Sequence, residues 1–109
     1  MEVEVSETST VTSPLIKAIR SLPYCWATRL QSGTARGGKM RLCEEGTPDI
    51  LAFVAGTALL VETKVPGGRL SPAQLETHAR LRRAGARVEV VTSVAEGIAT
   101  VRSILEGKA

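Results

Sequence analysis

At 109 residues, 43 % of them hydrophobic and 23 % charged, the chain has room for one domain around one core, with a composition ordinary for a globular protein. Its longest apolar run, Ile50 to Val61, is broken by Gly56 and Thr57 and falls short of the roughly 20 residues of a membrane span, so no membrane partner is expected. The net charge of +3 is small, but Glu2, Glu4 and Glu7 crowd the N-terminus, leaving the remainder more basic and compatible with a polyanionic partner.

The opening MEVEVSETST has no basic flank and no apolar core of a leader, so it is not read as a signal peptide. No repeat or low-complexity linker divides the chain, which is expected to form one domain over residues 1–109 with residues 1–8 loosely ordered. Ser13-Pro14 reads as a helix start, the serine capping free N–H groups and the proline fitting the first turn. Leu15, Ile16, Ile19 and Leu22 then mark a helical stripe that stops at Pro23. Tyr24 to Leu30 suits a short strand. QSGTARGGKMRLCEEG follows, rich in Gly, Arg and Lys, and reads as a long mobile loop with at most a short strand, a length that usually serves function.

Asp49 to Val54 and Ala58 to Lys64 read as a hairpin turning near Ala55-Gly56-Thr57. Both strands are almost unbroken apolar runs, as in a sheet covered on both faces. Pro66-Gly67-Gly68 breaks the second strand. Ser71-Pro72 caps a helix reaching about Ala84, with Gly85 as its stop. Arg87 to Thr92 is another strand, and Ser93 caps a last helix to about Leu105. The expected fold is α/β, a mixed sheet flanked by helices in the order α-β-β-β-α-β-α. Cys25 and Cys43, the two cysteines, have neither metal-site nor CxxC spacing and are read as free thiols of a reducing compartment.

Charges at the margins of the apolar hairpin need an explanation, because burial strips them of water. Glu62 and Lys64, two apart on a strand, leave the same face, and a short hairpin brings Asp49 beside them. Two close carboxylates repel unless a cation lies between them. Mg²⁺ or Mn²⁺ would answer that need with a few carboxylate oxygens and several retained waters. A lysine next to it can orient or help deprotonate an attacking water, or steady charge on a phosphate. These parts suit hydrolysis of a phosphodiester. The alternative is a cross-strand ion pair in which Lys64 neutralises both acids. Arg29, Arg36, Lys39 and Arg41, around the glycine-rich loop, are candidate phosphate contacts whose binding would fall steeply with salt.

Pro48-Asp49 followed by Glu62-Thr63-Lys64 resembles the PD-(D/E)xK nuclease signature. Within that superfamily GTPDILA, LLVETK, PGGRLSPAQLETHARLRRAG and VEVVTSVAEG are similar to the VRR-NUC domains, the virus-type replication-repair nucleases, from about residue 14 to residue 105. RLQSG resembles their N-S-G segment, with Gln31 for the usual Asn and Ser32 as a further DNA contact. The resemblance implies a restriction-endonuclease-like fold. It also implies Asp49, Glu62 and the Thr63 carbonyl as metal ligands, Lys64 as catalytic lysine and Gln74 as a residue facing the site. An extra glutamate usually stands on the first helix. The matching position here falls near Thr12 or Ser13, so Glu7 would be the extra ligand only if that helix began earlier.

The resemblance further implies a Mg²⁺- or Mn²⁺-dependent endonuclease of branched DNA such as Holliday junctions. Such a protein would work as a homodimer, in the cytoplasm of a bacterium or phage-infected cell. A non-catalytic nucleic-acid-binding module on the same fold is the competing reading, which the missing first-helix acid keeps open. Outside the triad, His78 reads as a half-buried or surface residue, Trp26 and Tyr24 as core aromatics with stacking on bases as the alternative, and Arg80, Arg82 and Arg83 as a solvated helix face.

Overall fold

The computed structural model describes residues 8–30, 34–35, 40–41 and 43–107. A π-helical turn, Thr8–Thr12, runs straight into helix α1, Ser13–Arg20. Strand β1 (Cys25–Arg29) follows, then the two-residue pieces β2 (Thr34–Ala35) and β3 (Met40–Arg41), which pair with each other. The hairpin β4 (Ile50–Val54) and β5 (Thr57–Thr63), helix α2 (Pro72–Arg83), strand β6 (Arg87–Val91) and helix α3 (Val94–Gly107) complete the order. Apart from the small β2–β3 pair, this is the sequence of elements expected from the residues.

The main sheet runs β1-β4-β5-β6. β4 is antiparallel to β1 and β5, whereas β6 joins β5 in parallel after the α2 crossover. The β4–β5 turn is the two residues Ala55 and Gly56, with φ of 48° and 89°. Positive φ at both positions is the type I′ geometry, whose twist matches the strands it joins. The tight turn fixes the register, Val54 opposite Thr57 and Ile50 opposite Val61. One step further, Asp49 comes beside Glu62.

Helices α1 and α3 cover one face of the sheet. Leu15, Ile19, Val101 and Ile104 meet Ala27, Ile50, Ala52, Leu59 and Val61 in a core with side chains at most 5 % exposed. The other face departs from the expectation of a fully covered sheet. α2 packs on β6 and leaves the β1–β4 side open, so Trp26 and Phe53 are 49 % and 46 % exposed and stack with ring centroids 6.4 Å apart. Tyr24, 85 % exposed with φ 60°, likewise lies outside the core. One crossover helix is too narrow to cover four strands.

The start of α1 also differs from the sequence reading. Ser13 is not its cap, because Thr12 already has helical backbone angles and makes no side-chain cap bond. α2 matches: the Ser71 hydroxyl accepts from Gln74 N, the Gln74 side chain accepts from Ser71 N, and Pro72 occupies the first turn. This reciprocal arrangement satisfies two otherwise orphaned donors. Before α3, Ser93 Oγ accepts from Glu96 N at 3.1 Å, as its capping role requires.

Candidate active site

The loop ahead of β4 is anchored to α2. Gly46 has φ +87°, and a Cβ on it would stand 2.2 Å from the Ala73 carbonyl oxygen. Only a residue without a side chain allows that approach. Thr77 Oγ1 donates to the Glu45 carbonyl at 2.8 Å, and Pro48 is fully buried. The chain therefore enters Asp49 along a fixed path. The Asp49 carbonyl then accepts from Leu30 N at 2.7 Å, which ties the end of β1, with Arg29, to the same sheet margin.

Asp49 Oδ2 accepts two hydrogen bonds from one residue, the Thr63 N–H and the Thr63 hydroxyl, both at 2.9 Å. Thr63 Oγ1 also lies 2.7 Å from Thr12 Oγ1. A hydroxyl has one proton to give. Since that of Thr63 points at the carboxylate, Thr12 is the donor between the two threonines. The first helix thus reaches the site through a hydroxyl, at a position where the family resemblance would place an acid. With Thr8–Thr12 helical, this helix does begin before Ser13. Glu7 itself lies outside the described residues.

Glu62 is 3 % exposed, and its Oε1 is 3.2 Å from Nε2 of His78, which is 1 % exposed. His78 is thus neither a surface nor a half-buried residue. It sits four residues after Gln74 on α2, and α2 lies over β6, whose Val90 is level with Glu62. Burial pushes the imidazole's pKa down, Arg82 and Lys64 push the same way, and Asp49 partly opposes them. A neutral ring carries one proton, which belongs on Nε2 facing the Glu62 carboxylate. Nδ1 is buried and has no hydrogen-bond partner among the described residues. Sequence alone offered one clue to His78, its helical spacing from Gln74.

Lys64 follows β5 with its backbone N–H held by the Val91 carbonyl at 2.9 Å, and it is half-buried. Its influence on His78, together with that of Asp49, places Asp49, Glu62, Lys64 and His78 in one electrostatic neighbourhood. Elsewhere Arg80 pairs with Glu44 and Arg87 with Glu89. Gln74 is half-buried, and its side-chain oxygen is engaged by Ser71 N. Arg29 is exposed at the Asp49 margin. Arg41 lies at the end of β3, whereas Ser32, Arg36 and Lys39 fall outside the described residues. Of the α2 arginines, Arg80 pairs with Glu44 and Arg82 donates to the Val88 carbonyl at 2.9 Å, so that face is partly used to hold neighbouring segments.

Among the described residues no three His, Cys, Asp or Glu side chains gather as a metal cage. Asp49 and Glu62 are hard oxygen donors at adjacent positions, a partial set that fits an ion which keeps most of its waters. It does not fit zinc, which prefers a closed set of nitrogen and sulfur ligands.

A model of the VRR-NUC domain matches residues 11–95 of the chain. A solved structure described as a VRR_NUC domain superposes with a TM-score of 0.55 at 25 % identity, covering 84 % of this chain and 86 % of that one. No curated protein matches.

Proposed function

The chain belongs to the VRR-NUC domain family, a family of nuclease domains, and from that premise we propose that it is a Mg²⁺- or Mn²⁺-dependent endonuclease that hydrolyses phosphodiesters in branched DNA. The observation that carries the reading is the convergence of Asp49, buried Glu62 and Lys64 at one sheet margin, with Asp49 gripped by Thr63. Asp49, Glu62 and the Thr63 carbonyl would hold the cation. When bound, it would neutralise the paired acids and act as a Lewis acid on the scissile phosphate.

The remaining work falls to the chain. The Thr63 N–H and hydroxyl keep Asp49 Oδ2 fixed, so the acid does not swing away as substrate arrives. Lys64, held at its backbone by Val91, would orient the attacking water or steady charge on the phosphate through Nζ. Arg29, with Ser32, Arg36, Lys39 and Arg41 of the neighbouring segment, would contact phosphates. Gln74 anchors the start of α2 beside the site through its cap. A homodimer would set two such sites on opposite strands of a junction, which one small chain would struggle to grip.

The test is cleavage of four-way junction, flap and linear duplex DNA in Mg²⁺, Mn²⁺ and EDTA, with sedimentation at micromolar concentration alongside. Divalent-dependent cutting that favours the junction, by a dimer, is expected. Equal cutting of all three substrates removes the branched-DNA claim, and sedimentation as a monomer removes the dimer. Salt-dependent DNA binding without cutting under any condition favours the non-catalytic binding module instead.

A further inference from the structure

We infer that His78 is a positioning residue for Glu62. Its Nε2–H holds one carboxylate oxygen, so that the acid is presented to a divalent cation in a single orientation. The inference rests on the proposed metal site and extends it to a residue on another element. Glu62 is 3 % exposed, so water cannot supply the hydrogen bonds its carboxylate needs, and a protein donor must. His78 is one such donor, 3.2 Å from Oε1 and itself 1 % exposed. At that burial the ring is shielded from DNA, which favours a positioning role over that of general acid or base.

The ring's placement serves Glu62 rather than the ring. Nδ1 has no hydrogen-bond partner among the described residues, whereas a histidine kept for its own hydrogen bonds would have both nitrogens satisfied. The helix that carries it is fixed on two sides, by the Ser71–Gln74 cap and by Thr77 on the Glu45 carbonyl. A rigid helix therefore sets the donor, and the donor sets the carboxylate. Asp49 receives the matching treatment from Thr63, which donates twice to Oδ2. Both candidate ligands are thus held by donors from their own protein, and such outer partners govern how well a ligand set binds its ion.

The experiment titrates the metal-free protein with Mn²⁺ and follows the electron paramagnetic resonance signal of the free ion, with no DNA present. Wild type is compared with His78→Gln, His78→Asn and His78→Leu, each checked for fold by circular dichroism. A glutamine amide reaches the place of Nε2, whereas an asparagine amide reaches only that of Nδ1. The inference expects Mn²⁺ affinity to fall about 10- to 100-fold in His78→Leu and His78→Asn, with His78→Gln within about threefold of wild type. If His78→Leu does not fold, the Gln–Asn contrast decides alone. Equal affinity across the folded variants, or a glutamine no better than asparagine, overturns the inference. Mn²⁺ binding that is absent in wild type, or unchanged in Asp49→Asn and Glu62→Gln, instead overturns the metal site beneath it.

Discussion

Replacing Thr63 by valine keeps the shape of the side chain and removes the hydroxyl that links α1 to Asp49. Two costs follow. The bond to Asp49 Oδ2 at 2.9 Å is lost, and bonds to charged groups contribute about 1.5–3 kcal/mol. The Thr12 hydroxyl, in a residue 2 % exposed, then loses its acceptor at 2.7 Å, and an unpaired buried polar group costs about 1–3 kcal/mol. Thr63→Val should therefore destabilise by about 3–5 kcal/mol, a large share of the usual domain stability. Thr12→Val should cost only about 1 kcal/mol, because Thr63 keeps its bond to Asp49.

In the double variant no hydroxyl is stranded, so its cost should fall short of the sum of the singles by about 1–2 kcal/mol. Urea unfolding in EDTA, followed by fluorescence of Trp26, the single tryptophan, gives all four free energies. Additivity within about 0.5 kcal/mol would show that the two threonines are not coupled and that the chain from α1 to Asp49 does not exist.

Gly46→Ala places a Cβ at φ +87° against the Ala73 carbonyl; strain of about 1–2 kcal/mol adds to the collision, and cleavage should drop as Asp49 is displaced. Gly56→Ala, also at positive φ but with open space around it, should show the strain alone, and equal losses in the two variants would refute the docking of this loop on α2. Leu15, fully buried between sheet and α3, should cost about 2–5 kcal/mol when cut to alanine, read by urea unfolding; a loss under 1 kcal/mol would contradict its place in the core. Burial pushes the Cys25 thiol up. The thiolate is the reactive form, so in Cys43→Ser protein the alkylation rate should rise with a midpoint above the ordinary value of about 8.5, and a midpoint at or below it would contradict that burial.

What the sequence revealed and what it concealed divide along a physical line. Ser71-Pro72, Gly85 and the Ala55-Gly56 turn act through their own backbone, and each sits where local chemistry puts it. The hairpin register followed from the turn, and with it the pairing of Asp49 and Glu62. Ser13-Pro14 misled because Thr12 gives its hydroxyl to Thr63, fifty-one positions away, and a helical turn over Thr8–Thr12 already precedes Ser13. Trp26 and Tyr24 have the composition of a core but lie where α2 does not reach. His78 was hidden for the same reason in reverse: its burial comes from where α2 crosses the sheet, which no neighbouring residue records. Local signals carried the elements, and the contacts among them carried the site.

The most direct test of the nuclease assignment is the Mg²⁺-dependent cleavage rate of wild type beside Asp49→Asn, Glu62→Gln and Lys64→Ala, on one labelled junction under identical conditions. The account predicts that Lys64→Ala loses about 10²- to 10⁴-fold, the range for a positioned proton-transfer group. The two carboxylate variants should show no divalent-dependent cutting, while all three bind the DNA as wild type does. Cleavage by the three variants at the wild-type rate would contradict it.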